Sequence, residues 1–420
     1  MKNPQYDLIL YGATGFVGQI MSHYLSELYG TDGARLRWAI AGRSKEKLRL
    51  LRNSLGVDAD GLPVIVAEAS DEAALEALCG QTLVVVSAVG PYALYGESMV
   101  RACVRSGTDY CDLTGELQWI RKMISRYDNE ARQSGARMVH CCGLDSLPSD
   151  MGVWFLQQHV VERFGKPAEH VKMRVKAMRG GGISGGTAAS MMNLMKEASR
   201  DDKVRKELAD PYSLCPSGHG FSVRQPDVRS PSYDEDFSAW TAPFLMAPIN
   251  VRIVLRSHVL AGAPYGQQFR YEEAVLTGRG LKGRTKAYSN AAGTWLLLLA
   301  GAISPVRLIL KRYILPKPGD GPSPEQQESG YYDFRFHGTT SDGHSLQVKV
   351  TGDRDPGYGS TARMVGQSAV CLALDLRPDQ LKEYEKHKGE GGFLTPSTLF
   401  DNRLLKRLTD YAGMSFEVVV

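Results

Sequence analysis

Tyr6-Asp7-Leu8-Ile9-Leu10-Tyr11-Gly12-Ala13-Thr14-Gly15-Phe16-Val17-Gly18 decides the fold of this 420-residue chain. A short apolar strand (Leu8, Ile9, Leu10) runs straight into Gly12-x-x-Gly15-x-x-Gly18. Gly12 allows the sharp turn at the strand end. Gly15, without a Cβ, lets the backbone approach a pyrophosphate, and Gly18 lets the next helix pack close to the strand. The first turn of that helix then points free N–H groups and a partial positive charge at the anion. Apolar residues at Val17, Ile20, Met21, Tyr24, Leu25 and Leu28 carry the helical period onward, and a second strand follows at 36–41. Together these predict a dinucleotide-binding strand-turn-helix.

The end of the second strand discriminates between cofactors. An Asp or Glu there would hold the ribose 2′-hydroxyl of NAD. The chain reads Gly42-Arg43-Ser44-Lys45 instead, with no acid before Glu46. Arg43 suits a 2′-phosphate and an adenine face, with Ser44 and Lys45 adding a donor and a charge. Ser44 also reads as the N-cap of a helix over 45–55, and the two roles are compatible. The expectation is NADP(H) ahead of NAD(H).

Outward from this motif the first 145 residues alternate strand and helix. Strands are predicted at 6–11, 36–41, 63–67, 82–88 and 137–141, and helices at 16–29, 45–55, 71–78, 96–106 and 117–134. This order gives an α/β chain built on a Rossmann-type, doubly wound parallel sheet. A different texture follows. Val171–Met178 and Asn250–Leu255 read as strands, 188–197 as a helix, and 209–248 as largely irregular. Residues 146–355 are therefore expected to form an inserted second α+β domain on a mixed sheet, serving substrate or dimer contact. Residues 1–145 and about 356–420 form the cofactor domain, with strong helical periodicity at 360–376.

Ligands of such sheets lie beyond the carboxyl ends of the strands. Three loops qualify. Ser87-Ala88-Val89-Gly90-Pro91 ends the fourth strand beside the nicotinamide ribose and leads to the phenols of Tyr92 and Tyr95. Tyr110–Glu116 and Cys142–Asp150 follow. Reduction needs a proton donor near the accepting atom, and Tyr92, Tyr95 and Asp145 are the candidates in that order. Asp112, Glu116 and Asp145 each have a second reading as cap or hydrogen-bond structure, as do Ser146 and Ser149.

Bulk composition bounds the function. A net charge of +4 is too small to imply nucleic acid, and no such module is recognisable. Seven scattered Cys without a C-x-x-C pair read as thiols of a reducing cytosol. The early start of the motif leaves no room for a signal peptide. No metal cluster or nucleophile–base pair appears, so no metal is expected and hydrolysis is disfavoured. Ala274–Gly319 holds no acid but eight Lys and Arg, and its part from 287 to 315 is apolar with basic breaks. It reads as a membrane span of poor quality, as a buried or dimer-contact helix, or as an interfacial helix on anionic lipid.

These loops, together with Gly12–Gly18, resemble the saccharopine dehydrogenase-like oxidoreductase family. The closer similarity is to its lipid-linked branch, which includes the mycobacterial trans-acting enoyl reductases. Lys317–Ser323, Gly352–Ala362 and Gly391–Pro396 match the same branch, so the resemblance spans nearly the whole chain. It implies an NADP-type Rossmann domain completed by C-terminal helices, with a second α/β domain inserted; the family's members include amino-acid enzymes and proteins reducing a polyketide-derived double bond for glycolipids. With the acid-free stretch, the expected reaction is reduction of a lipid or polyketide-type acyl substrate, and the expected setting is a homodimer in the cytoplasm or peripheral on the inner face of the membrane. True saccharopine-forming enzymes carry a His soon after the Pro-Tyr of the fourth-strand loop. Ala93-Leu94-Tyr95-Gly96 has none, which weakens an amino-acid substrate. The alternatives are a non-catalytic membrane-associated NADP-binding protein and a saccharopine-type amino-acid dehydrogenase.

Overall fold

The computed structural model describes residues 4–56, 60–180, 185–302, 321–377, 381 and 390–419. Two seven-stranded sheets organise them. The first holds β1 (Tyr6–Tyr11), β2 (Trp38–Gly42), β3 (Val64–Val66), β4 (Thr82–Ser87), β5 (Asp109–Asp112), β6 (Arg137–Val139) and the late strand β13 (Gly392–Leu394). Its order is β13-β6-β5-β4-β1-β2-β3, and every pairing is parallel. Helices α1 (Phe16–Tyr29), α2 (Lys45–Ser54), α3 (Glu72–Gly80), the single turn α4 (Tyr92–Tyr95), α5 (Glu97–Ser106) and α6 (Leu117–Ser134) make the crossovers. The predicted doubly wound sheet is thus present, with two strands more than the sequence reading: Asp109–Asp112 and Gly392–Leu394.

Strand β5 escaped notice because acids close both its ends. Asp109 is bound by Arg137, which is buried and also donates to the Leu376 carbonyl. Asp112 accepts from His140 Nδ1 at 2.7 Å, from the Tyr110 hydroxyl at 2.9 Å and from two backbone amides. Paired in this way, two carboxylates sit inside the sheet that would otherwise be costly to bury.

After α7 (Leu147–Phe164) the second sheet begins. It holds β7 (Ala168–Arg179), β8 (Ser232–Asp234), β9 (Ala239–Pro243), β10 (Arg270–Gly278), β11 (Tyr331–Thr340), β12 (Ser345–Gly352) and β14 (Met414–Val419), in the order β14-β12-β11-β7-β10-β9-β8. Only β7 and β10 pair in parallel, so the sheet is mixed, as expected. Helices α8 (Gly185–Arg200), α9 (Asp202–Ala209), α10 (Ala247–Leu260) and α11 (Gly280–Ala302) accompany it. Asn250–Leu255, predicted as a strand, lies instead inside α10. Every residue from Ile249 to His258 is buried, and a helix covered on all sides shows no 3.6-residue period to tell it from a buried strand. The tail is shared: helix Thr361–Val370 packs on α1, β4 and β5, whereas β14 leaves the first sheet and pairs with β12.

One core cluster packs Leu8, Leu10, Val84 and Val86 with Met151, Val365 and Leu372, and continues to Val171, Phe334, Phe336 and Val348 of the second sheet. The other lies under Ile9 and Val85, with Leu75, Val100 and Ile120 from α3, α5 and α6. Each such buried aliphatic or aromatic side chain contributes about 1.5–3 kcal/mol. The continuity of the first cluster holds the two sheets together beside the strand ends.

Candidate functional site

The glycine turn has the form its sequence requires. Gly12 has φ of +86°, and a Cβ there would strike the Val89 side chain. A Cβ on Gly18 would overlap the Gly12 carbonyl oxygen and the Ala13 backbone, so α1 packs on β1 only because none is present. At Gly15 an added Cβ would meet only the Gly12 and Ala88 carbonyl oxygens, at 3.2 and 3.8 Å. The α1 N-terminus carries no side-chain cap. Its free amides therefore face the space that a pyrophosphate needs, and the residues present fit a dinucleotide.

Gly42-Arg43-Ser44-Lys45 stands at the end of β2. Ser44 does cap α2, accepting from the Lys47 amide at 3.3 Å. Arg43 and Lys45 are exposed and form no ion pair among the described residues. Two uncommitted cations thus stand where a 2′-phosphate would bind.

Beyond β4 the chain runs through Ala88, Val89 and a cis Gly90–Pro91 peptide into the α4 turn. Glu116 holds that turn. One of its oxygens accepts from the Tyr92 amide at 2.8 Å, the other from the Ala93 amide at 2.9 Å. Thr114 in turn accepts from the Glu116 amide. The capping reading of Glu116 and Asp112 is therefore what the local geometry displays. Tyr92 is buried, its hydroxyl donates to the Ser87 carbonyl at 2.8 Å, and burial pushes its phenol well above the ordinary range. Tyr95 is half exposed. The Tyr92 hydroxyl is thus already committed to a main-chain carbonyl.

Asp145 differs from both. It follows β6 on the loop into α7, partly buried, and a Cβ on Gly115 would collide with its carboxylate. It accepts no hydrogen bond among the described residues, and burial pushes its carboxyl up to about 7. A carboxyl so placed is partly protonated near neutral pH, with no hydrogen-bond donor facing it among the described residues. The neighbouring Ser146 hydroxyl donates to Asn250 Oδ1 at 3.0 Å, and Asn250 Nδ2 donates to buried Glu273 at 2.8 Å. This chain, unread in the sequence because its members lie 104 and 23 residues apart, ties the Asp145 loop to β10.

Arg174 of β7 and Arg252 of α10 are both engaged within the protein. Arg174 is buried and paired with Asp234 and Glu272. Arg252 donates to Ser213 and to the Pro248 and Leu208 carbonyls.

Residues 8–139 match the saccharopine dehydrogenase NADP binding domain. A trans-acting enoyl reductase of Mycobacterium tuberculosis (strain H37Rv) is 37% identical over 420 residues, 96% of each chain. The chain belongs to the saccharopine dehydrogenase-like family. The trans-acting enoyl reductase of Mycobacterium leprae (strain TN) is 36% identical over the same length and coverage. Apo saccharopine dehydrogenase (L-Glu forming) from Saccharomyces cerevisiae covers 98% of this chain and 99% of its own at 15% identity and a TM-score of 0.49. This family member is an NADP-dependent oxidoreductase.

The acid-free stretch divides at the edge of the description. α11 buries Ala287 and Ala291 and exposes Leu281, Tyr288, Trp295, Leu296 and Leu299. Among the described residues no helix is long and apolar enough to cross a membrane. Residues 303–320, including the rest of the 287–315 segment, lie outside the described residues, as do 181–184 just before α8.

Proposed function

We propose that this oxidoreductase reduces the carbon–carbon double bond of a lipid or polyketide-type acyl substrate, with Asp145 as the proton donor. Residues 4–145 and the helices after 356 form the cofactor unit, and the second sheet with its helices forms the substrate unit. When bound, NADPH supplies the hydride. The protein orients the acyl group over the strand ends, excludes water and delivers a proton from the Asp145 carboxyl to the carbon left electron-rich. Asp145 carries this reading, being the carboxyl at the cleft that is protonated near neutrality and unengaged. Gly90 and Pro91, held by Glu116 through α4, wall the nicotinamide side, and Tyr92 braces that wall. The relatives named for enoyl reduction support the reaction class.

The substrate side is proposed to be lipid-like and presented at a surface. The exposed apolar residues of α11 lie on a helix that also carries Lys282, Arg284 and Lys286, a combination suited to anionic headgroups. A homodimer at the cytoplasmic face is the proposed setting. The test is a panel of long-chain enoyl thioesters with NADPH, the product being identified by a mass gain of two hydrogens. Failure to reduce any of them while NADPH still binds would sink the enoyl reading. Co-flotation with anionic vesicles should weaken with salt and with Leu296→Glu, and equal flotation of variant and wild type would remove the membrane part.

A further inference from the structure

The first turns of α8 come from the second half of the molecule yet touch both sides of the cofactor cleft. Thr187 Oγ1 lies 3.0 Å from the Tyr358 hydroxyl. The Tyr358 ring meets Phe16 edge-on, with centroids 5.2 Å apart, and Phe16 is the first residue of α1 beside Gly15. One helical turn further on, the Ser190 hydroxyl donates to Glu116 Oε1 at 2.7 Å. The same carboxylate holds the Tyr92 and Ala93 amides, and a Cβ on Gly90 would come within 4.0 Å of Ser190 Oγ. Residues three apart on a helix share a face. The face bearing Thr187 and Ser190 therefore reaches from the pyrophosphate end of the cleft to its nicotinamide end.

We propose that α8 is a clasp over bound NADP(H), fastened at the pyrophosphate side by Thr187 to Tyr358 and at the nicotinamide side by Ser190 to Glu116. Glu116 is the positioning residue of this device. Its carboxylate sets the α4 turn with both oxygens and receives the clasp on Oε1, the oxygen that also accepts from the Tyr92 amide. Tyr358 belongs to the turn 356–360, which is fixed by Asp355 accepting from the Tyr358 amide at 2.7 Å, so the pyrophosphate-side anchor is rigid. The cofactor then enters before the clasp fastens and leaves only after it opens. This rests on the cofactor assignment and is independent of the acyl substrate.

Stopped-flow displacement of NADPH by excess NADP⁺, read by nicotinamide fluorescence, tests it on the full-length protein. Losing one hydrogen bond to a charged acceptor is expected to speed release about tenfold in Ser190→Ala. Thr187→Val should speed it less, and Ser190→Thr, which keeps the hydroxyl, should restore slow release. Thermal midpoints measured beside each rate separate the clasp from general loosening, since Ser190 and Thr187 are not core residues. Release within twofold of wild type in both Ser190→Ala and the double variant would overturn the clasp while leaving the cofactor site standing. A wild-type protein that binds no NADPH would instead overturn the cofactor assignment and the clasp with it.

Discussion

Arg43 and Asp145 are the two side chains on which the proposed cofactor contact and the proposed chemistry turn. Arg43 has no ion-pair partner among the described residues to leave when a 2′-phosphate arrives, so its charge-assisted contacts would be gained in full. Arg43→Ala is expected to weaken NADPH binding roughly 10–100-fold and leave NADH nearly unchanged, by fluorescence titration. An equal loss for both nucleotides would place the 2′-phosphate elsewhere. Asp145 acts only while protonated. Because burial holds its carboxyl at about 7, the turnover number should fall as pH rises through 7. Asp145→Asn should lose roughly 10²-fold in turnover and the pH dependence together. A variant that keeps the wild-type profile would move the donor role elsewhere. Sequence ranked Tyr92 first because a phenol beside the fourth-strand loop has the right chemistry. What sequence could not reveal is that its hydroxyl is already committed to the Ser87 carbonyl.

At the scale of elements, legibility followed periodicity and turn chemistry. The limits of β1, α1 and α6 stand where the sequence put them, since glycine turns and a clean helical period mark their ends. α10 was misread, and β5 missed, because complete burial erases period in the one and paired acids disguise the other. The clasp was out of reach of sequence, being made by hydroxyls 74 and 171 residues from their partners. The packing of α1 on β1 yields a prediction of its own. Gly18→Ala places a methyl against the Gly12 carbonyl oxygen and the Ala13 backbone, which are main-chain atoms with little freedom to yield. Overpacking of this kind costs about 1–3 kcal/mol and moves the helix off the strand. Scanning calorimetry should show a midpoint lower by a few degrees, and NADPH binding should be lost even where the protein stays folded. Binding preserved at wild-type strength would mean that the α1 amides do not hold the phosphates.

Across the whole molecule, buried acids of opposite tendency fix how stability follows pH. Asp145 and Glu273 are raised to about 7 and Asp150 to about 6, all by burial, the last two against hydrogen bonds that favour the charged form. A raised carboxyl contributes stability that is complete below its unfolded value and is lost as pH climbs through the folded one. Glu272, close to Arg174 and His170, is lowered to about 2, and Asp7 is lowered by Arg37 and Arg377. These contribute in the opposite sense, at full strength above their unfolded values and failing as pH falls through the folded ones. The two sets are complete together only near the unfolded carboxyl values, about pH 4, and the raised set is then lost progressively up to about pH 7. Melting midpoints taken across pH should therefore decline from pH 6 to 8. Glu273→Gln, which keeps the shape and a hydrogen-bonding group beside Asn250 and Tyr271, should flatten that decline while leaving the acid limb unchanged. A midpoint that rises steadily from pH 6 to 8 would show that these carboxyls find solvent or cations on folding. The proposed proton store at Asp145 would then lose the low-polarity surroundings on which it depends.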